Sequence, residues 1–79
     1  MNIRILYFGA LAEITRESSE TLEVEETASV GLVREILINK YPRLGTEKFK
    51  IAVNQNISNE ADHVPFDAEV ALLPPFAGG

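Results

Sequence analysis

The chain has 79 residues, 46% of them hydrophobic and 24% charged, which suits one domain with a buried core and argues against a disordered chain. Its formal net charge of −5 and its pI of about 4.7 argue against a nucleic-acid-binding protein and a polybasic membrane-surface protein, because both classes carry a basic face. The absence of cysteine excludes disulfides, a cysteine nucleophile and thiolate metal sites, and it fits a cytoplasmic location. We expect no membrane partner, since the longest apolar runs are too short to span a bilayer and no signal peptide is visible.

The first predicted strand covers residues 2–8, where β-branched and aromatic side chains dominate. Alternation divides its side chains between the two faces of a sheet, with Ile3, Ile5 and Tyr7 inward and Arg4, Leu6 and Phe8 outward. Residues 10–19 are predicted to form a loop that can hold one helical turn. Residues 20–25 alternate again, with Leu22 and Val24 inward, and predict a half-exposed antiparallel strand.

One main helix is predicted next, with Ser29 as its N-cap and Pro42 as its stop. Its apolar stripe consists of Val30, Val33, Ile36, Leu37 and Tyr41. A strand over residues 49–53 follows, and then a turn at residues 54–56, because Asn tolerates a left-handed backbone.

The end of the predicted domain is a mixed loop over residues 57–68, with a possible short pairing segment, and a last strand over residues 69–73. In that strand Val70 and Leu72 point inward, so Ala71 and Leu73 point outward. The order β-β-α-β-β predicts an α+β fold of the ubiquitin-like β-grasp type, with a mixed four- to five-stranded sheet packed on one main helix. The predicted domain is residues 1–73, and residues 74–79 form an extended tail.

Few residues in the chain are suited to catalysis. His63 stands beside Asp62 without a nucleophile motif, and a surface loop histidine is the favoured interpretation. Gly9 and Gly45 stand alone, so no phosphate-binding loop is predicted, and scattered acids with one histidine predict no metal site. The acids of the first half are interpreted mainly as a solvated face, with steering of a basic partner as the alternative: Glu13, Glu17, Glu20, Glu23, Glu25 and Glu26.

The tail is Pro74-Pro75-Phe76-Ala77-Gly78-Gly79. Its two prolines fix the backbone and remove two donors, so the chain leaves the sheet as an extended segment. Without a Cβ, Gly78 and Gly79 can enter a channel too narrow for other residues. The reactive group is then the α-carboxylate of Gly79, which activation to an acyl-adenylate makes an electrophile. The outward apolar residues Leu6, Phe8 and Leu73 independently suggest a protein interface.

Several motifs resemble the small subunit of molybdopterin synthase, a ubiquitin-like sulfur carrier family. They are Ile3-Arg4-Ile5-Leu6-Tyr7-Phe8-Gly9 with Leu11-Ala12-Glu13, Val53-Asn54-Gln55, Asp62-His63, Glu69-Val70-Ala71 and, most specifically, the tail. The turn before Glu69 departs from the family pattern, because Pro65-Phe66-Asp67-Ala68 stands where the family usually has an Asp-Gly-Asp-like turn.

The resemblance implies that an E1-like enzyme uses ATP to adenylate Gly79, which then becomes a thiocarboxylate. The tail would enter the large subunit of molybdopterin synthase, and sulfur would pass to a pyranopterin precursor to make molybdopterin. The carrier would bind no cofactor and have no catalytic activity alone, since the other catalytic residues belong to the large subunit of a heterotetramer. By position, Phe8, Ile57 and Leu73 match the family's partner-binding surface.

Three alternatives remain open. The chain could carry sulfur for thiamine synthesis or another thiolation pathway. It could be a ubiquitin-like modifier that forms an isopeptide bond through Gly79. It could also be a binding module with an inert tail.

Overall fold

The structure, a computed structural model, describes residues 1–75. Its strands are β1 (Asn2–Tyr7), β2 (Ser19–Glu23), β3 (Lys50–Val53), β4 (Asn56–Ile57) and β5 (Glu69–Leu73). Its helices are α1 (Ala10–Thr15), α2 (Val30–Lys40) and a 3-10 helix (Pro42–Thr46). Within residues 1–75, no helix is both long enough and apolar enough to cross a membrane.

The five strands form one mixed sheet in the order β2-β1-β5-β3-β4. The first and last strands, β1 and β5, are parallel neighbours, whereas every other pair is antiparallel. Parallel strands end at the same edge of a sheet, so the chain leaves β1 and β5 side by side. The predicted α+β fold, with a mixed sheet and one main helix, is therefore confirmed.

The core lies between one face of this sheet and α2. Alternate strand residues are buried there, namely Ile3, Ile5, Tyr7, Ile51, Val53, Val70 and Leu72. From α2 they meet Val30, Val33 and Leu37, while Ile36 and Tyr41 of the predicted stripe are half-buried at its margin. Each fully buried aliphatic side chain contributes about 1.5–3 kcal/mol relative to exposure, so this face supplies most of the driving force for folding.

Both ends of α2 follow the sequence prediction. The Ser29 hydroxyl accepts a hydrogen bond from the Leu32 N–H at 3.1 Å. Two further N–H groups of the first turn donate to carbonyls of the loop after β4, Val30 to Asp62 and Gly31 to Glu60, both at 2.9 Å. At the other end the helix stops at Lys40, two residues before Pro42.

The segment predicted as a loop over residues 10–19 contains the short helix α1. Alanine, leucine and glutamate favour helix formation, and Leu11 is almost fully buried, so packing stabilises a helix too short to persist alone. The helix ends at Thr15 and is followed by the C-cap residue Arg16, which has a left-handed φ of 60°. Strand β2 then begins at Ser19 and ends at Glu23, and backbone hydrogen bonds between Met1 and Val24 continue the contact with the start of the chain one residue further. Val24 lies outside the strand but is buried as predicted.

The second half of the sheet is closed by two tight turns. Asn54 and Gln55 have φ values of 49° and 72°, which fits a two-residue hairpin between β3 and β4 and confirms the predicted turn. The loop after β4 pairs with the helix start through a single bridge between Ser29 and His63. Asp67 adopts a φ of 58°, so the turn without glycine still has the left-handed backbone that glycine favours.

Candidate functional site: the open sheet face and the root of the tail

The face of the sheet turned away from α2 carries an apolar surface, called here the open face. The strand register aligns Leu6, Ala71, Ala52 and Ile57 in one row across β1, β5, β3 and β4. Phe8 and Leu73 extend the surface toward the end of β1 and β5, since each lies two residues beyond a member of the row. The open face thus consists of Leu6, Phe8, Ala52, Ile57, Ala71 and Leu73.

Large apolar groups are exposed on this face. The side chain of Phe8 is 45% exposed and that of Ile57 61% exposed, while Leu73 is half-buried. Ala52 and Ala71 lie at the centre of the surface, and their short side chains leave the larger side chains at its margin. The structure therefore places on one face of the sheet the three residues that the family resemblance assigned to partner binding, and their role stays a prediction.

Polar residues flank the open face. Lys50 lies opposite Leu73 in the register of β3 and β5, and its side chain is exposed. Toward the other end of the sheet, Arg4 of β1 lies opposite Glu69 of β5. An apolar centre with a charged rim is the usual composition of a protein-binding surface.

The tail begins at this same edge. Pro74 is half-buried and Pro75 is exposed, and residues 76–79, including the predicted reactive Gly79, lie outside the described residues. On its β1 side, β5 is held by the bond from the Phe8 N–H to the Leu72 carbonyl at 3.3 Å, and on its β3 side the pairing continues to Leu73 opposite Lys50. Pro74 has no N–H to continue the ladder, so the backbone is released from the sheet here.

Gly9 lies directly against the root of the tail. A Cβ at this position would approach Pro74 Cγ to 3.1 Å, and the φ of Gly9 is +56°. From the sequence, Gly9 was only an isolated glycine that forms no phosphate-binding loop. A glycine between a strand and an Ala-Leu-Ala-Glu helix start was the available signal, but its proximity to Pro74 depends on the pairing of β1 with β5.

A polar cluster on the covered side holds β1, β2 and α2 together. The hydroxyls of Tyr7 and Tyr41 both donate to Glu20 Oε2 at 2.6 Å, and Lys40 binds Glu20 Oε1. Burial, followed by the hydrogen bond to Glu20, raises the pKa of Tyr7 and of Tyr41. Burial by itself would raise the pKa of Glu20, but hydrogen bonds from Lys40, Tyr41 and Tyr7 outweigh it and lower that pKa.

This cluster corrects the interpretation of Glu20 as one of the solvated acids. Its side chain is only 12% exposed and accepts three hydrogen bonds, while the other five acids of that group are exposed. Alternation could not reveal this, because the donors lie 13 to 21 residues away along the chain.

The His63 pair is an exposed loop contact. His63 Nε2 lies 2.7 Å from the Glu26 carbonyl, and Asp62 accepts a hydrogen bond from the Asn59 N–H. Asp62 is therefore engaged in its own turn. Residues 1–75 contain no group of three or more His, Asp or Glu side chains arranged to hold a metal ion.

A mixed sheet wrapped around one helix, with a Pro-Pro segment leaving its central strand, defines a ubiquitin-like β-grasp domain. The profile described as the ThiS family matches residues 5–79. The chain therefore belongs to the ThiS family.

Curated relatives match the chain over its whole length. The molybdopterin synthase sulfur carrier subunit of Mycobacterium tuberculosis (strain ATCC 25618 / H37Rv) is 37% identical over 82 residues, covering 100% of this chain and 99% of that protein. The protein of the same name from Caenorhabditis briggsae is 30% identical over 83 residues, with the same coverage. The resemblance stated from the motifs is confirmed.

Solved structures support the fold assignment. The chain superposes on the small archaeal modifier protein 1 of Haloferax volcanii with a TM-score of 0.85 at 20% identity, covering 95% of this chain and 98% of that one. It also matches a chain in the complex of subunits 1 and 2 of the molybdopterin-converting factor from Helicobacter pylori 26695, with a TM-score of 0.70, 25% identity and full coverage of both chains. The ubiquitin of Caldiarchaeum subterraneum gives a TM-score of 0.64 at 19% identity, covering 100% and 98%.

Proposed function

We propose that this chain is the sulfur carrier subunit of a molybdopterin synthase. The observation that carries the proposal is the full-length match to relatives of that name, which spans the open face, the Pro-Pro segment and the final glycines. The fold supports it, because β5 contributes Ala71 and Leu73 to the open face and leads directly into the tail.

In this proposal the working group is the α-carboxylate of Gly79. An E1-like enzyme joins it to the α-phosphate of ATP with release of pyrophosphate, and a sulfur nucleophile then displaces AMP to leave a thiocarboxylate. The absence of a Cβ at Gly78 and Gly79 lets the backbone pass through a narrow channel into an enzyme site. The carrier needs no cysteine and no cofactor of its own for this chemistry, and the final product of the pathway is molybdopterin.

The partner in sulfur transfer is a large subunit that binds the open face through Phe8, Ile57 and Leu73. A neighbouring structure is a complex of two molybdopterin-converting factor subunits, which supports a partner of this kind. Exposed aromatic and aliphatic side chains around a flat apolar centre suit a stable interface. Two carriers on a heterotetramer, acting in the cytoplasm, would deliver the two sulfurs of one dithiolene.

The decisive experiment follows sulfur on the chain itself. The purified protein is incubated with the activating enzyme, ATP and a sulfur donor, and its intact mass is measured. We expect a species heavier by the difference between one sulfur and one oxygen atom, and no such species when Gly79 is deleted. Gly45→Ala is a matched control, because it changes a glycine outside the tail. An unmodified chain, together with full cellular activity after deletion of Gly79, would contradict the proposal.

Capture experiments separate this function from the alternatives. A large synthase subunit that copurifies with the chain supports the proposal, whereas a thiazole synthase in its place indicates a carrier for thiamine synthesis. A ladder of heavier conjugates on denaturing gels of N-terminally tagged protein indicates a modifier that uses Gly79 in isopeptide bonds. Binding that survives, with function intact, after removal of Gly79 indicates a binding module.

A further inference from the structure

The link between β1 and α1 is a turn that only glycine adopts without strain. Gly9 has φ +56° and ψ −133°, and the Leu11 N–H donates to the Phe8 carbonyl at 3.1 Å. These angles at the first central position, with a hydrogen bond from the fourth residue to the first, describe a type II′ turn. An L-residue with a side chain is disfavoured at that position, so the backbone alone restricts it to glycine.

Packing around Gly9 is a second reason why this position favours glycine. Its missing side chain leaves the space in which Pro74 packs, since a Cβ would lie 3.1 Å from Pro74 Cγ. Fewer than one in ten real Cβ contacts are that short, and the proline ring cannot rotate away as a flexible side chain can. Pro74, the first residue after β5, therefore packs directly against the turn that follows β1.

We propose that Gly9 is a positioning residue that sets the direction in which the tail leaves the sheet; this inference rests on the proposed function. Sheet pairing holds the end of β5 on one side through the bond between the Phe8 N–H and the Leu72 carbonyl, and on the other side through the pairing of Leu73 with Lys50. After that point the packing of Pro74 on Gly9 is the next constraint on the backbone. Because both prolines have a restricted φ, a direction set at Pro74 is carried through Pro75 as an extended segment.

A fixed direction matters for entry into a partner enzyme. The apparent dissociation constant of a segment rises in inverse proportion to the fraction of molecules that hold the competent conformation. A tail whose first residues have a fixed direction holds the conformation needed to enter the enzyme more often than a tail that leaves the sheet at many angles. Once the tail is bound, its root no longer affects the reacting carboxylate. Gly9 should therefore affect the KM for the carrier more than kcat.

The test is a double-mutant cycle in the full-length chain, with Gly9→Ala, Pro74→Ala and the double variant as substrates of the activating enzyme. We expect Gly9→Ala to raise KM about tenfold with kcat nearly unchanged, if the competent fraction falls to about a tenth. In the Pro74→Ala background the same change should have a much smaller effect, because Cγ of the proline ring is gone. Gly45→Ala is the control, since its Cβ would lie 3.3 Å from Ile38 Cγ2, away from the tail and without a positive φ.

Three results would overturn the inference. One is an unchanged KM in Gly9→Ala. Another is an effect of Gly9→Ala that is equally large with and without Pro74, because Gly9 would then act through its neighbour Phe8. The third is the absence of a nuclear Overhauser contact between the Gly9 Hα and Pro74 Hγ protons in the wild-type chain.

Two controls keep the outcomes distinguishable. If thermal melts show that Gly9→Ala does not fold, Pro74→Ala alone decides the matter, since it should raise KM without changing kcat and an unchanged KM contradicts the inference. Failure of the proposed function looks different, because the wild-type chain itself would then accept no sulfur from the activating system.

Discussion

The two faces of the sheet are built from the same strands, but one is buried against α2 and the other is exposed. On β1, Ile5 is fully buried in the core shared with α2, whereas the next residue, Leu6, is half-buried on the open face. On β5, Leu72 and Leu73 repeat this contrast. Neighbouring residues thus contribute to different properties, the covered face to folding and the open face to the proposed partner binding.

The contrast arises because one helix covers only one side of a sheet. An uncovered sheet face is normally polar, since apolar area left in water gains nothing from folding. Here the open face instead keeps Phe8 and Ile57 exposed at 45% and 61%. An apolar patch maintained at this cost in solubility indicates a surface that becomes buried against another protein.

The largest expected effect tests the covered face. Ile5→Ala should lower the free energy of unfolding by about 3 kcal/mol, because it leaves a cavity in a close-packed core. Leu6→Ala, one residue away, is the matched control and should cost about 1 kcal/mol or less, since Leu6 is half-buried. Chemical denaturation measures both. Equal losses of unfolding free energy in the two variants would contradict the conclusion that only the covered face drives folding.

The next effect tests the open face. Phe8→Ser should weaken binding to the large subunit at least tenfold, about 1.4 kcal/mol, because interface energy concentrates in buried aromatic anchors. Its melting temperature should stay near that of the wild type. Phe66→Ser is the matched control, because Phe66 is 78% exposed but lies before β5, at the end of the sheet opposite the tail. Calorimetric titration that finds Phe66 equally important would place the interface elsewhere.

A smaller effect concerns the polar cluster beneath the covered face. Glu20→Gln should destabilise the fold by about 1 kcal/mol near neutral pH, because it removes the charge that strengthens the hydrogen bonds from Lys40, Tyr7 and Tyr41. The pKa of Glu20 is lowered in the folded state, so its stabilisation is present above the usual value of 4.5 and is lost as pH falls through the folded value.

Acid titration of stability measures that dependence. The wild type should lose stability on acidification below 4.5 more steeply than Glu20→Gln, and the two should converge at the lowest pH. Tyr41→Phe is a milder control that removes one donor and leaves the carboxylate. Parallel pH profiles for the wild type and Glu20→Gln would show that the carboxylate is not stabilised by this cluster.

The smallest effect concerns the turn into β5, which supports both faces. Asp67→Gly should stabilise the chain by less than about 1 kcal/mol, because glycine adopts the φ of 58° without strain. Asp67→Ala should destabilise it, since alanine tolerates that backbone poorly. Partner binding should stay the same in both variants. A change in affinity would mean that the turn determines how the open face is shaped.

Much of the fold was readable from the sequence because its signals are local. The helix start at Ser29, the stop before Pro42 and the strand over Glu69–Leu73 follow from capping, proline geometry and alternation. The helix α1 was predicted only as a loop that can hold one helical turn, because six residues carry too weak a propensity to define a helix. Packing of Leu11 into the core decides its conformation.

The candidate site, too, has features that the sequence predicted and features that it did not. Alternation placed Phe8 and Leu73 on the outward face, and the composition of residues 74–79 indicated the tail chemistry. The row that joins Leu6 to Ile57 could not be read from the chain, because it depends on the strand order and register of four strands. Glu20 shows the same limit, since its partners lie on distant elements.

The sequence by itself determined which residues are apolar at alternate positions, where the main helix begins and ends, and that a side-chain-free pair of glycines follows two prolines. Only the tertiary structure decided that β1 and β5 run side by side in parallel and bring Gly9 beneath Pro74. The physical reason is that backbone preferences act over a few residues, whereas this contact joins positions at opposite ends of the chain. Such a contact exists only once the core has selected the register of the sheet.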